Sequence, residues 1–85
     1  MTGIETVVVS LNELKSQESG VVTQIEGGRE MMNRLEALGI RPGKRITKIS
    51  SMFMRGPVTV QVDRSQVAIG FGMACKIFVE TGHSV

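Results

Sequence analysis

The sequence has no tryptophan and no tyrosine, and its 85 residues include only one cysteine and one histidine. The single cysteine, Cys75, excludes an internal disulfide and favours a reducing compartment, and its apolar neighbours predict a core position. His83 stands alone near the C-terminus, so no histidine is placed to activate a nucleophile, and a two-histidine, one-carboxylate ferrous site cannot form. We therefore predict a protein that is not an enzyme, with no catalytic residues, no metal ligands and no cofactor.

Long hydrophobic runs are also missing. The longest unbroken apolar runs, such as residues 7–9 and 52–54, are three residues each, whereas a membrane-spanning helix needs about 18. The N-terminus has neither the basic start nor the apolar centre of a signal peptide. These absences predict a cytoplasmic protein that does not insert into a membrane.

Basic residues are concentrated in the middle of the chain. Residues 29–64 carry eight basic and three acidic side chains, or +5, while residues 1–28 carry −3 and the whole chain +2. The densest stretch is a predicted basic patch of Arg41, Lys44, Arg45 and Lys48. Such a patch attracts an anionic partner, unless it is simply a solvated mixed surface. Nucleic acid is one such partner, but three phenylalanines offer few platforms for base stacking, so we expect none to bind.

One amphipathic helix is predicted over residues 29–38. Its apolar residues at helical spacing are Met31, Leu35 and Leu38. Gly39 is placed to take the left-handed conformation just after the helix, which lets Ile40 fold back on Leu35.

Glycine and proline mark the turns around this helix. The predicted structural motif residues are Gly27 and Gly28 before it, Leu35, Leu38, Gly39 and Ile40 at its end, Pro42 and Gly43 after it, and Gly56 and Pro57 farther on. Proline at the second and glycine at the third position of Arg41–Lys44 predict a type II turn.

Five short strands are predicted in the rest of the chain. They cover residues 20–26, 44–50, 57–63, 65–70 and 75–80. The third alternates strictly, with Val58, Val60 and Val62 inward, whereas Ile46 and Ile49 in the second lie three apart and predict a bulge. Residues 4–10 are predicted to be a further extended segment, after which Ser10 caps a single turn.

Together these elements predict one domain over residues 1–85, with a core of about residues 11–80 and a flexible tail of 81–85. The fold class is mainly β with one inserted helix, a small SH3-like five-stranded antiparallel barrel. Closing the sheet in this way protects strand edges from aggregation.

The order and spacing of these signals over residues 11–80 resemble the FeoA family of small ferrous iron transport proteins. The most specific part is EGGREMMNRLEALGIRPG, residues 26–43, and SLNELK corresponds to the family's opening Leu-x-x-Leu segment. The chain departs from the family at Ser16-Gln17, where a Pro-Gly turn is common. The resemblance implies an SH3-like module that assists the membrane transporter FeoB from its cytoplasmic side, and so is held peripherally at the inner membrane by a protein partner. The same barrel resembles the C-terminal domain of DtxR-type metal-dependent regulators, an alternative that stays open here.

The segment SSMFMRGPV raises the question of where the domain makes contact. It places Met52, Phe53, Met54 and Arg55 in the loop between the second and third predicted strands. Methionine adapts to irregular surfaces and phenylalanine is a rigid anchor, so these residues are the predicted partner-binding site, for FeoB or for a second copy of the chain. The alternative is that Phe53 folds over the barrel or that the strands extend into a long hairpin.

Overall fold

The computed structural model describes residues 4–51 and 56–84. The strands are β1 (Ile4–Ser10), β2 (Ser19–Ile25), β3 (Arg45–Ser51), β4 (Val58–Val62), β5 (Ser65–Ile69) and β6 (Ile77–Ser84). The helices are α1 (Gly28–Ala37) and the single turn α2 (Phe71–Ala74), and a 3-10 turn spans Leu11–Glu13. The mainly β class with one substantial helix is confirmed.

The strands form one antiparallel sheet in the order β1-β6-β2-β3-β4-β5. The sheet therefore has six strands in the described residues rather than the predicted five, because residues 4–10 pair with β6. In the same pairing β6 continues to Ser84, four residues beyond the predicted end at Glu80. Residues 81–84, predicted as part of a flexible tail, are thus strand.

The core is formed by the apolar side chains that alternate along the strands, together with those of the turns. Its fully buried members include Leu11, Val22, Leu35, Ile40, Ile46, Val58, Val60, Ile69, Ile77 and Val79. The inward set predicted for β4 is confirmed, since Val58, Val60 and Val62 are all buried. Phe71 begins α2 and is partly buried.

The end of α1 has the predicted geometry. Gly39 has a φ of +87°, and the N–H of Ile40 donates to the carbonyl oxygen of Leu35 over 2.9 Å. The N–H of Gly39 donates to the carbonyl oxygen of Glu36, also over 2.9 Å. This pair of bonds is the Schellman motif, which supplies partners for the last carbonyls of the helix.

Leu38 differs from the prediction, which placed it on the buried face of the helix. It is 39% exposed, while Ile40 is fully buried. The reason is that the helix ends at Ala37 and the chain reverses at Gly39, so Ile40 takes the inward position. Of the predicted face, Leu35 is buried and Met31 packs partly against the core.

The turn and the bulge that follow are also as predicted. Gly43 has a φ of +93°, and Lys44 N–H donates to Arg41 O over 3.0 Å, closing the predicted turn. The β3–β4 register shifts between Lys48 and Ser50, which is the irregularity indicated by the spacing of the isoleucines.

β1 and β6 extend farther than their neighbours. β2 pairs with β6 only over residues 77–80, whereas β1 pairs with β6 as far as Ser84. Residues 4–6 paired with residues 82–84 therefore form a two-stranded extension, here called the terminal ribbon. The described part of the molecule measures 43 × 28 × 23 Å.

Candidate protein-contact surface

Lys48 does not belong to a surface patch. The residue is only 4% exposed, and its Nζ donates to the carbonyl oxygens of Leu14 at 2.6 Å and Asn12 at 3.0 Å. Burial lowers the pKa of Lys48, and the negative charge of Glu18 opposes this shift in part. The prediction that Lys48 is part of the basic patch was wrong, because Lys48 shares the inward face of β3 with Ile46 and anchors the 3-10 turn.

The side chain of Lys44 also interacts with another residue of the chain. Its Nζ lies 2.6 Å from Oδ1 of Asp63, and the Lys44 side chain is 25% exposed against 68% for Asp63. The pair joins the turn after α1 to the turn between β4 and β5. Of the four residues of the predicted patch, Arg41 and Arg45 are the exposed ones.

This ion pair helps to define a corner of the molecule. The end of α1 packs closely against β4 there, since a Cβ built on Gly39 would lie 3.2 Å from Cγ1 of Val62. We call residues 38–45 together with Asp63 and Arg64 the helix-end corner. It carries four basic side chains and one acidic one, a net charge of +3.

The helix-end corner also presents an apolar side chain. Leu38 is exposed, with the exposed Arg41 three residues on and Arg64 next to the Asp63 partner of Lys44. An exposed leucine in a segment rich in basic residues is a combination suited to protein contact, since arginine is enriched in interfaces and an apolar side chain gains by leaving water. Sequence reasoning missed Leu38 and Arg64 as surface candidates. A signal for Leu38 was its place directly before the helix-ending glycine.

The predicted contact loop, Met52, Phe53, Met54 and Arg55, lies outside the described residues. Its flanks are described: β3 ends at Ser51, Gly56 is partly buried and the exposed Pro57 precedes β4. The proposal that this loop binds a partner therefore stays a prediction.

Metal-ligating groups are scattered in the described part of the chain. Over residues 4–51 and 56–84, no three His, Cys, Asp or Glu side chains are grouped so that they could hold a metal ion. The backbone of His83 pairs with Glu5 within the terminal ribbon. Cys75 is partly exposed rather than in the core, because it lies just past the short helix α2 and precedes β6. Gly27 and Gly28, before α1, both have positive φ.

The family assignment comes from comparison with known proteins. Residues 9–81 match the family model described as "FeoA domain". The chain belongs to the FeoA family. A relative from Methanocaldococcus jannaschii named "Putative Fe(2+) transport protein A" is 38% identical over 66 residues, which is 78% of each chain. A Campylobacter jejuni relative of the same name is 30% identical over 61 residues, covering 72% of this chain and 82% of that one.

Solved structures agree on the fold of this FeoA-family protein. A crystal structure of an "Iron Uptake Regulatory Protein (FeoA)" superposes with a TM-score of 0.78 at 32% identity, covering 93% of this chain and 99% of that one. A "Manganese-dependent transcriptional repressor" gives a TM-score of 0.80 at 20% identity, but the match covers only 43% of its length. The second likeness shows a shared SH3-like fold, as the resemblance to regulator domains implied. No helix among the described residues has the length and apolar character needed to cross a bilayer.

Proposed function

We propose that this FeoA-family protein is a non-enzymatic accessory protein of ferrous iron uptake that acts by contacting the cytoplasmic side of the transporter FeoB. The observation that carries the proposal is the match of residues 9–81 to the FeoA domain, with relatives named for Fe(2+) transport. The protein would then work in the cytoplasm, held at the inner membrane by its partner.

The helix-end corner supports contact as the mode of action. Its Leu38 is exposed, and its excess of positive charge would draw the domain toward an acidic surface of the transporter. Charge of this kind acts mainly on the rate and orientation of encounter, while a desolvated apolar side chain adds affinity. The loop that contains Phe53 is the second candidate contact, and a separate variant tests each of the two surfaces.

Co-purification with full-length FeoB, with and without nucleotide, tests the proposal. The variant for the helix-end corner is Arg41→Glu, which reverses one exposed charge in the turn after α1. Its matched control is Arg29→Glu, the same change at an exposed residue near the start of α1. Arg29 lies in the first turn of α1, at the opposite end of the helix from the turn that contains Arg41.

We expect wild type and Arg29→Glu to be retained with the transporter and Arg41→Glu to be retained several-fold less, with the difference shrinking as salt is raised. Equal loss in both variants would indicate a general effect of net charge and would remove the helix-end corner from the proposal. If wild-type protein is not retained in any nucleotide state, direct contact with FeoB is refuted.

A further inference from the structure

β1 is an edge strand that lacks the usual protections. It is seven residues long, contains no proline and no lysine, and pairs with β6 without a register shift. Natural edge strands are commonly shortened, bulged or given lysine or proline, since an exposed edge pairs with other chains. The opposite edge, β5, has only five residues, of which Ser65 and Gln66 are polar and exposed.

The sequence of β1 favours pairing. IETVVVS combines three consecutive valines and a threonine with one charged residue, the composition of segments that add readily to a sheet. Val8 is 55% exposed, the largest exposed fraction among the big apolar side chains of the described residues. In an antiparallel pair alternate residues direct their N–H and C=O groups away from the partner strand, so one edge of β1 carries a row of such groups facing away from β6.

We propose that β1 is a docking strand for β1 of a second copy of the chain, which joins two sheets across a two-fold axis. An antiparallel pairing centred on Val7 matches all seven residues of each strand, so that Thr6 faces Val8 of the other copy. Glu5, the only charged residue of the strand, would then face Val9 of the other copy rather than Glu5. A parallel pairing would bring the two glutamates together and is disfavoured by charge.

The terminal ribbon is the part of β1 with the fewest neighbouring strands. Residues 4–6 pair with β6 at positions where β6 has no paired β2 residue on its other side. Residues 4–8 also lie outside the range 9–81 that matches the family model. Self-pairing through β1 therefore need not be shared by the whole family, and it uses a different surface from the helix-end corner.

Charge substitutions at Val7 test both the surface and its register. In the proposed register Val7→Lys places two positive charges directly opposite each other at the two-fold axis, and Val7→Glu places two negative ones there. A mixture of the two variants brings opposite charges together at that position. Ala68→Lys is the control, since it adds the same charge at an exposed residue of the other edge strand, β5.

The measurement is sedimentation equilibrium of the purified protein alone from about 1 μM to 1 mM, a span that covers weak to moderate self-association. We expect wild type and Ala68→Lys to approach twice the 9.2 kDa chain mass as concentration rises. Each Val7 variant alone should dimerise at least about tenfold more weakly, and the equimolar mixture should recover the dimer.

Several results would overturn the proposal. One is a wild-type protein that stays monomeric up to the highest concentration, even if β1 binds a strand of another protein. Another is a Val7→Lys variant that dimerises as wild type does. A third is a mixture of folded Val7 variants that fails to recover the dimer, because that result places the interface elsewhere. Circular dichroism of each variant shows that the comparison is made between folded proteins.

Discussion

Replacing the buried Lys48 by methionine tests whether its ammonium group holds the 3-10 turn to the sheet. Methionine keeps the length and apolar stem of lysine but cannot donate to the carbonyl oxygens of Asn12 and Leu14, which accept at 3.0 and 2.6 Å. The Leu14 bond is buried, so its oxygen cannot be rehydrated in place, and an unpaired buried acceptor costs about 1–3 kcal/mol. Removing the buried charge recovers some of its desolvation cost.

The net expectation for Lys48→Met is a loss of about 2 kcal/mol in the free energy of unfolding. For a domain of this size that corresponds to a fall in Tm of about 8–16 °C. Lys44→Met is the matched control: it breaks a largely exposed ion pair with Asp63 and should cost less than about 1 kcal/mol. Urea unfolding followed by circular dichroism measures both variants.

The pH dependence of the same pair of proteins gives an independent check. Burial lowers the pKa of Lys48 in the folded state below its ordinary value of 10.5. In the alkaline range between the two pKa values the unfolded chain binds more protons, so the contribution of Lys48 to stability rises with pH there. The difference in free energy of unfolding between wild type and Lys48→Met should therefore increase with pH in that range. A Lys48→Met variant within about 0.5 kcal/mol of wild type at neutral pH would refute the anchoring role.

Three further predictions concern the turns and the contact loop. Gly39→Ala should cost more stability than Gly43→Ala in urea unfolding, by about 1 kcal/mol, since both have positive φ but only Gly39 also meets a β4 side chain; equal costs would contradict the packing argument. The Ser10 hydroxyl and N–H, which donate to Glu13, lower the pKa of its carboxyl below 4.5, so Glu13 contributes stability above that pH that is lost as pH falls. Glu13→Gln should flatten the stability profile between about pH 3 and 5, and an unchanged slope would count against the bond. Phe53→Asp should reduce FeoB co-purification in a protein that stays folded, and full retention would show that the loop does not contribute to binding.

Local patterns predicted the elements around α1 well. The Gly39 helix end, the turn at Gly43 and the bulge in β3 each depend on residues close in the chain, and each was confirmed. Such features are determined by backbone conformations that few residue types allow. The single turn opened by Ser10 was predictable for the same reason.

The sixth strand and the burial of Lys48 depend on contacts between distant parts of the chain. β1 pairs with β6 across more than 65 residues, and its valine run does not alternate as a half-buried strand does. Lysine is almost never fully buried unless it has partners, and those of Lys48 are backbone oxygens more than 30 residues away. A signal was present, since Lys48 lies two residues from the buried Ile46 and so on the same face of β3.

The candidate contact surface was predicted only in part. The sequence located positive charge near Arg41, but the pairing of Lys44 with Asp63 and the exposure of Leu38 were not predicted. The Lys44–Asp63 pair joins the turn after α1 to the β4–β5 turn, which is a tertiary arrangement. The exposure of Leu38 has a local cause, the end of the helix just before Gly39, and only its signal was overlooked.

The most direct test of the account is the affinity of this protein for purified FeoB, measured in detergent by biolayer interferometry with wild type, Leu38→Ser and Arg41→Glu. We expect saturable binding by wild type and about tenfold weaker binding by Leu38→Ser, equivalent to about 1.4 kcal/mol. Arg41→Glu should mainly slow association, and the effect should fade at high salt. Absence of saturable binding by folded wild-type protein would contradict the claim that this FeoA-family protein acts through contact with the transporter.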